Sequence, residues 1–163
     1  MQSIAWNGEN AITGIAGKKN FTIIAMEKSM MNTEIGFVGK VLAVIGRHGI
    51  SFEHLPSGID TMSLVIDNEY LKKGELELVL EEIRDAVHPD KLYVHENVAL
   101  IAAVGHGMVR NVGVSARLFS AIANAGINVI MIDQGSSELN IIVGVENKDC
   151  DDCIRAIYKE FFN

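Results

Sequence analysis

The chain has 163 residues, of which 48% are hydrophobic and 21% charged, and its formal net charge is −7. This composition is close to that of ordinary globular domains, and it excludes a collagen-like, low-complexity or disordered chain. The acidic balance also argues against general binding to nucleic acids or anionic membranes, because both carry negative charge.

An internal repeat with a constant offset of 77 residues runs through the sequence. Gly36 pairs with Gly113 at this offset, Gly49 pairs with Gly126, and apolar residues agree between them at positions 41, 42 and 45. A repeat in one fixed register predicts two copies of the same structural unit.

The first copy is predicted to contain a strand, a helix, two strands, a helix and a final strand. Gly49 follows the first helix, where a C-terminal cap is expected, and residues 56–58 (Pro-Ser-Gly) are typical of a turn. The predicted bounds are 21–25 for the first strand, 37–48 for the first helix, 50–55 and 61–66 for the next two strands, 71–87 for the second helix and 90–94 for the last strand.

The second copy follows the same order, with strand 98–104, helix 114–125, strand 127–132, a turn at 134–136, strand 139–145 and helix 150–162. It has no final strand, whereas the apolar segment 11–16 ahead of the first copy has no assigned place. We therefore expect this N-terminal strand to complete the second unit. The predicted domains are 19–95 for the first unit, and 96–163 together with strand 10–17 for the second.

These elements predict an α+β fold of two ferredoxin-like βαββαβ units, one inserted in the other. Each unit would have an antiparallel sheet with both helices on one face. The other sheet face and the sheet edges would remain open, so we expect a homodimer.

No catalytic motif is present, so no catalytic residue is assigned. Cys150 and Cys153 form a C-x-x-C pair, but the acids between them would raise the thiol pKa, and no second pair completes a zinc site. We interpret the pair as the start of the last helix, with a thiol-redox protein as the alternative. Scattered histidines are expected at the surface or in loops, and no metal site is predicted. Glutamates 75, 77, 81 and 82 are expected on the solvated face of the second helix.

The start of the first helix in each copy is the best candidate for ligand binding. A glycine lets a ligand approach the backbone, and the first turn of a helix offers N–H groups to a carboxylate. Glu53, at the end of the next strand, could bind an ammonium, so a free amino acid would fit. Glycines that only permit close helix–sheet packing are the alternative.

Tandem units with these features resemble ACT domains, and most closely the C-terminal regulatory region of aspartokinases. The resemblance covers roughly residues 8–163. It is carried by Ala-Ile-Thr-Gly-Ile at 11–15, Gly-Phe-Val at 36–38, Glu-His-Leu-Pro-Ser-Gly-Ile-Asp at 53–60, Asn-Val-Gly-Val-Ser-Ala-Arg at 111–117 and Asn-Val-Ile-Met-Ile-Asp-Gln-Gly-Ser-Ser-Glu at 128–138.

This resemblance implies feedback control of aspartate phosphorylation by an end-product amino acid of lysine, threonine and methionine biosynthesis. Lysine is expected first and threonine next, although Gly58-Ile59 stand where some lysine-binding relatives carry a polar pair. The effector-binding residues implied are Met31, Glu34, Gly36, Phe37, Val38, Ser51, Phe52 and Glu53 in the first unit, and Asn111, Val112, Asn128, Val129 and Gln134 in the second.

The family's kinase domain, with its Lys-Phe-Gly-Gly-Thr-type strand, is missing from this sequence, so the chain is expected to be a regulatory fragment or a separate regulatory subunit. No cofactor is expected on it, since ATP and magnesium would belong to the kinase domain, which is an expected partner. A stand-alone subunit that only dimerises is the alternative. With no apolar run near the roughly 18 residues of a membrane helix and no signal peptide, the cytoplasm is the expected location.

Overall fold

The computed structural model describes residues 11–109 and 111–162. The chain divides into two compact units: an inserted unit, Asn20–Val98, and an outer unit made of the segments before and after it. The elements are β1 (Gly14–Glu27), α1 (Phe37–Arg47), β2 (Thr61–Asp67), α2 (Glu75–Val87), β3 (Lys91–Val104), α3 (Val114–Asn124), β4 (Met131–Asp133), β5 (Asn140–Glu146) and α4 (Cys150–Phe162).

The hydrogen-bonded strand order is β2-β1-β3-β5-β4, with β1 antiparallel to β2 and β4 antiparallel to β5. The predicted α+β, ferredoxin-like class, with one unit inserted in the other, is confirmed. Of the helices in the described part of the chain, none is both long and apolar enough to cross a membrane.

The inserted unit has its own core between its strands and its two helices. The pairing of β1 with β2 runs from Phe21 opposite Asp67 to Glu27 opposite Thr61. Alternate strand residues such as Ile24 and Leu64 are fully buried and pack with apolar residues at helical spacing from α1 and α2. The apolar residues that recur every second position in the strands and those that recur at helical spacing in α1 and α2 therefore form one core.

The outer unit has a second core, to which the N-terminal segment contributes. Ala11 and Ile12 are buried there with residues of α3 and α4. The Thr13 N–H donates to the Val104 carbonyl at 2.8 Å, so this segment lies beside the end of β3.

The 77-residue repeat extends to unusual backbone conformations. Asn20 in β1 and Asn97 in β3 both have a positive φ, 73° and 56°, and they are 77 positions apart. Asparagine is one of the few residues other than glycine that adopts this left-handed region readily.

Residues 50–55 were predicted to form a strand, and this prediction is wrong. Only isolated bridges join this segment to β2, at His54 opposite Val65 and at Ser57 opposite Met62. Pro56 lies between the two bridges and has no N–H to donate, so a continuous ladder is interrupted there.

Two other predicted elements are shorter in the structure than in the prediction. In place of strand 127–132 the structure has only β4, because the Ile127 N–H is used to close α3 through the Ile122 carbonyl at 3.3 Å. Helix 71–87 begins only at Glu75, because Gly74 takes the left-handed conformation with a φ of 78° and acts as the N-cap of α2.

Candidate functional site

A concave site lies at the start of α1 in the inserted unit. We call it the α1 cavity; its volume is about 260 Å³. This is below the ~300–1,000 Å³ of sites for drug-sized ligands, and suits a ligand as small as an amino acid. The lining residues are Met31, Asn32, Glu34, Gly36, Phe37, Val38, Gly39, Ser57 and Gly58.

Gly36 shapes the α1 cavity because it caps the helix with a left-handed backbone, at a φ of 80°. The Gly36 carbonyl accepts from the Lys40 N–H at 2.9 Å, which closes the first turn. The N–H groups of a first helical turn have no partners within the helix and carry positive partial charge, so this end of α1 favours an anion such as a carboxylate.

The outer unit has an equivalent site at the start of α3, the α3 cavity, also of about 260 Å³. Gly113 caps α3 as Gly36 caps α1, with a φ of 93°. Its lining residues are Met108, Asn111, Val112, Val114, Ser115, Gln134 and Glu138. Met108, Asn111 and Gln134 stand 77 positions after Met31, Glu34 and Ser57, so the two cavities are copies of one site.

The structure brings part of the sequence-predicted binding set together in each cavity. Met31, Glu34, Gly36, Phe37 and Val38 line the α1 cavity. Asn111, Val112 and Gln134 line the α3 cavity.

Five residues of that set do not line either cavity in this chain. Glu53 is exposed, and its N–H donates to the Val65 carbonyl at 2.8 Å on β2. The other four are Ser51, Phe52, Asn128 and Val129; the first three of these are exposed and Val129 is half-buried. Their predicted role stays a prediction.

Asn32, Gly39, Ser57 and Gly58 also line the α1 cavity, although none of them was in the predicted binding set. A signal for Ser57 was present, because Gln134 stands 77 positions later and was predicted as a site residue. The repeat offset, applied to the binding residues as well as to the fold, would have found it.

One charged residue, Glu34, is among those lining the α1 cavity, and it forms ion pairs with two lysines. Its Oε2 lies 2.6 Å from Lys28 Nζ and its Oε1 lies 3.3 Å from Lys40 Nζ. The hydrogen bond from Lys28 is the main cause that lowers the pKa of the Glu34 carboxyl, and Lys40 adds to it. Glu34 is therefore ionised and already paired at neutral pH.

The C-x-x-C pair is the start of the last helix, as expected from the sequence. Cys150 and Cys153 are buried free thiols in α4. Burial raises the pKa of both, that of Cys153 to about 11, with nearby negative charge as a smaller cause. A reactive thiol needs a lowered pKa and access to solvent, so the redox alternative is not supported.

His48 is half-buried in the turn that ends α1, so its loop position agrees with the expectation, whereas Glu75 and Glu82 are not simply solvated. The His48 side chain is 15% exposed, and its Nε2 lies 3.0 Å from Glu82 Oε1. Its Nδ1 lies 3.7 Å from Glu75 Oε1, so His48 ties the end of α1 to α2. Among the described residues there is no cluster of three or more His, Cys, Asp or Glu side chains that could hold a metal ion.

A wider groove of about 560 Å³ lies between α3 and α4 in the outer unit. Three alanines line it together with charged residues, of which Asp152 pairs with Arg155, and Glu160 pairs with Arg117. No residue of the predicted binding set lies in this groove.

Comparison with known proteins gives one family. A family model described as an ACT domain matches residues 101–161. Aspartokinase 3 of Bacillus subtilis is 36% identical over 156 residues, which is 96% of this chain and 34% of that protein. The chain thus spans about a third of the length of this relative.

Solved structures agree with this match. Aspartate kinase of Clostridium acetobutylicum superposes with a TM-score of 0.87 at 48% identity, over 92% of this chain and 35% of that one. A structure of aspartokinase alpha and beta subunits gives a TM-score of 0.77 at 28% identity, over 92% of this chain and 98% of the matched chain. These matches show that residues 101–161 match an ACT domain and that the chain is homologous to aspartokinases, with the fold of their regulatory regions.

Proposed function

We propose that this chain is the amino-acid-sensing module of an aspartokinase in the cytoplasm. An end-product amino acid, lysine first and threonine next, binds at the α1 cavity, the α3 cavity or both. Binding lowers the rate at which an aspartokinase catalytic domain phosphorylates aspartate with ATP. The observation that carries the proposal is the repetition of one glycine-capped helix start, with one cavity volume, in both units.

Recognition of the amino acid uses the helix start at the α1 cavity and the carboxylate of Glu53. The first turn of α1 binds the carboxylate through its N–H groups and the positive end of the helix dipole. Glu53 binds an ammonium group of the effector. Because Glu53 does not line the α1 cavity of the single chain, we propose that the effector site is completed when two copies associate as a homodimer.

Inhibition follows from linkage between effector binding and the arrangement of the assembled enzyme. An effector that binds one arrangement better than another shifts the population toward it, and such coupling is typically ~1–3 kcal/mol. The sensing module and the kinase domain then need no shared catalytic residue.

Calorimetry with lysine, threonine and methionine, run beside analytical ultracentrifugation, tests this function. We expect heat of binding for at least one of them and an increase in the dimer fraction when it binds. Glu53→Ala should weaken binding of lysine, whereas Glu77→Ala, an exposed acid on α2, should not.

A chain that dimerises but gives no heat with any of the three amino acids would contradict sensing. That result would favour the rival function, a subunit that serves only for assembly.

A further inference from the structure

Lys28 joins separate parts of the inserted unit beside the α1 cavity. Its Nζ lies 2.6 Å from Glu34 Oε2 and donates to the Val87 carbonyl, at the end of α2, at 2.6 Å. The same ammonium lies 5.5 Å from the centre of the Phe37 ring, and the side chain is only 22% exposed. A single cation thus links the end of α2 to the loop and the first residue of α1.

Each oxygen of the Glu34 carboxylate already has a cation beside it. Oε2 is taken by Lys28, and Oε1 by Lys40 at 3.3 Å. Glu34 and its two partners together carry two positive charges and one negative charge. A third ammonium brought to this carboxylate by a ligand would meet two like charges at close range, which disfavours binding there.

The outer unit offers an internal comparison, because the corresponding positions beside its cavity lack both the lysine and the glutamate. At the repeat offset, Gly105 stands for Lys28 and Asn111 stands for Glu34. A side chain at Gly105 would overlap the Ala11 carbonyl oxygen, so no cation can be placed there without moving that segment. The lysine and the glutamate are present together in one copy and absent together in the other, as expected of two residues that act as a unit.

We propose that Lys28 is a positioning residue of the effector site and that Glu34 is its internal counter-ion rather than a ligand of the effector's ammonium. The Phe37 N–H donates to the Glu34 carbonyl at 3.3 Å, and Lys28 holds this segment so that the other N–H groups of the first turn of α1 remain available to a ligand. This inference rests on the proposed function, in which the α1 cavity binds an amino acid. It reassigns Glu34, which the sequence had placed among the effector ligands.

The two roles of Glu34 predict opposite results for one variant. If Glu34 were a ligand of the ammonium of lysine, Lys28→Met would free its carboxylate and tighten lysine binding. If Lys28 positions the site, Lys28→Met weakens binding, by about tenfold, the usual loss for one charge-assisted hydrogen bond. Glu34→Gln weakens binding similarly, and the double variant is no weaker than either single one because both changes break the same link.

The experiment is calorimetry of the full chain and its variants with lysine and, separately, with threonine. Lys91→Met is the matched control, since Lys91 pairs with Glu27 at 2.8 Å in the same unit but does not line the α1 cavity. We expect Lys28→Met and Glu34→Gln to weaken lysine and threonine by the same factor, Lys28→Arg to restore most of the affinity, and Lys91→Met to change nothing.

Tighter lysine binding by Lys28→Met, or a loss in Glu34→Gln confined to lysine, would overturn the proposal. A carbon-13 titration of the Glu34 carboxyl separates this failure from failure of the proposed function. Even if wild type binds neither amino acid, the Glu34 pKa should lie below the ordinary value of a glutamate, because Lys28 donates to the carboxylate, and it should rise in Lys28→Met. An unchanged Glu34 pKa in a folded Lys28→Met chain would refute the link itself.

Discussion

Replacing Gly105 by alanine would test how the N-terminal segment is held in the outer unit. The φ of Gly105 is 178°, extended backbone that any residue adopts, so the substitution introduces no backbone strain. Its Cβ, however, would overlap the Ala11 carbonyl oxygen and lie 3.0 Å from Ile12 Cα. Gly105 is itself fixed, since its N–H donates to the Leu139 carbonyl at 3.0 Å, so the N-terminal segment must move instead.

The cost follows from what that movement removes. Ile12 is 0% exposed, and burying such a side chain contributes about 1.5–3 kcal/mol. The hydrogen bond from the Thr13 N–H to Val104, 2.8 Å long, contributes about 0.5–1.5 kcal/mol more. We therefore expect Gly105→Ala to lower the free energy of unfolding by about 2–4.5 kcal/mol.

Urea denaturation of four chains measures this: wild type, Gly105→Ala, Ile12→Ala and the double variant. Ile12→Ala alone should cost about 2–5 kcal/mol. The double variant should cost clearly less than the sum, because alanine at 105 has already displaced Ile12. Gly14→Ala, where no atom lies within 4 Å of the new Cβ, is the control and should be neutral or slightly stabilising. Full additivity, or a loss below about 0.5 kcal/mol for Gly105→Ala, would refute the steric reasoning.

Three further predictions follow from named contacts. Burial raises the pKa of Cys153 from 9.0 to about 11. The contribution of this neutral thiol to the free energy of unfolding should therefore be fully present below pH 9 and be lost as the pH rises toward 11. Cys153→Ala should remove this pH dependence from a thermal-unfolding profile. The hydrogen bonds from Arg47 and His48 lower the pKa of Glu82. The stabilisation that ionised Glu82 gives the fold should therefore be present above pH 4.5 and be lost as the pH falls below that value. An acid-unfolding curve of Glu82→Gln should lack this pH dependence. Arg117→Met should lower the free energy of unfolding, measured in urea, by about 1 kcal/mol, because it removes the 2.8 Å bond to Glu160 and the contact over the Phe161 ring; a loss of zero would show that these contacts do not stabilise the fold.

The helices, the insertion and the helix-start glycines were predictable because each has a local signal. Gly36 and Gly113 stand immediately before helix-period apolar residues, and both have a positive φ, which glycine adopts at no steric cost. The missing strand at the end of the second copy was visible by counting elements.

Other features depend on contacts that spacing along the chain does not reveal. The pairing of Lys28 with Glu34 and with the Val87 carbonyl joins residues up to 59 positions apart. The contact between His48 and Glu82 also joins residues far apart in the sequence. From the sequence alone, they were predicted to be a loop residue and a solvent-facing residue, because their contact forms only when α1 packs against α2. The failed strand at 50–55 shows the converse error: an alternating pattern was present, but Pro56 could not continue a ladder on β2.

The arrangement of the two units along the chain also has a consequence for biosynthesis. A ribosome completes the inserted unit when it reaches Val98, whereas the outer unit has by then only its opening segment. Helix α4 ends at Phe162, 64 residues later, a delay of roughly 3–13 s at ~5–20 residues per second. During that interval the apolar side chains of Ala11 and Ile12 have no core to pack into. The nascent chain is therefore exposed to non-native contacts of this segment until the outer unit is complete.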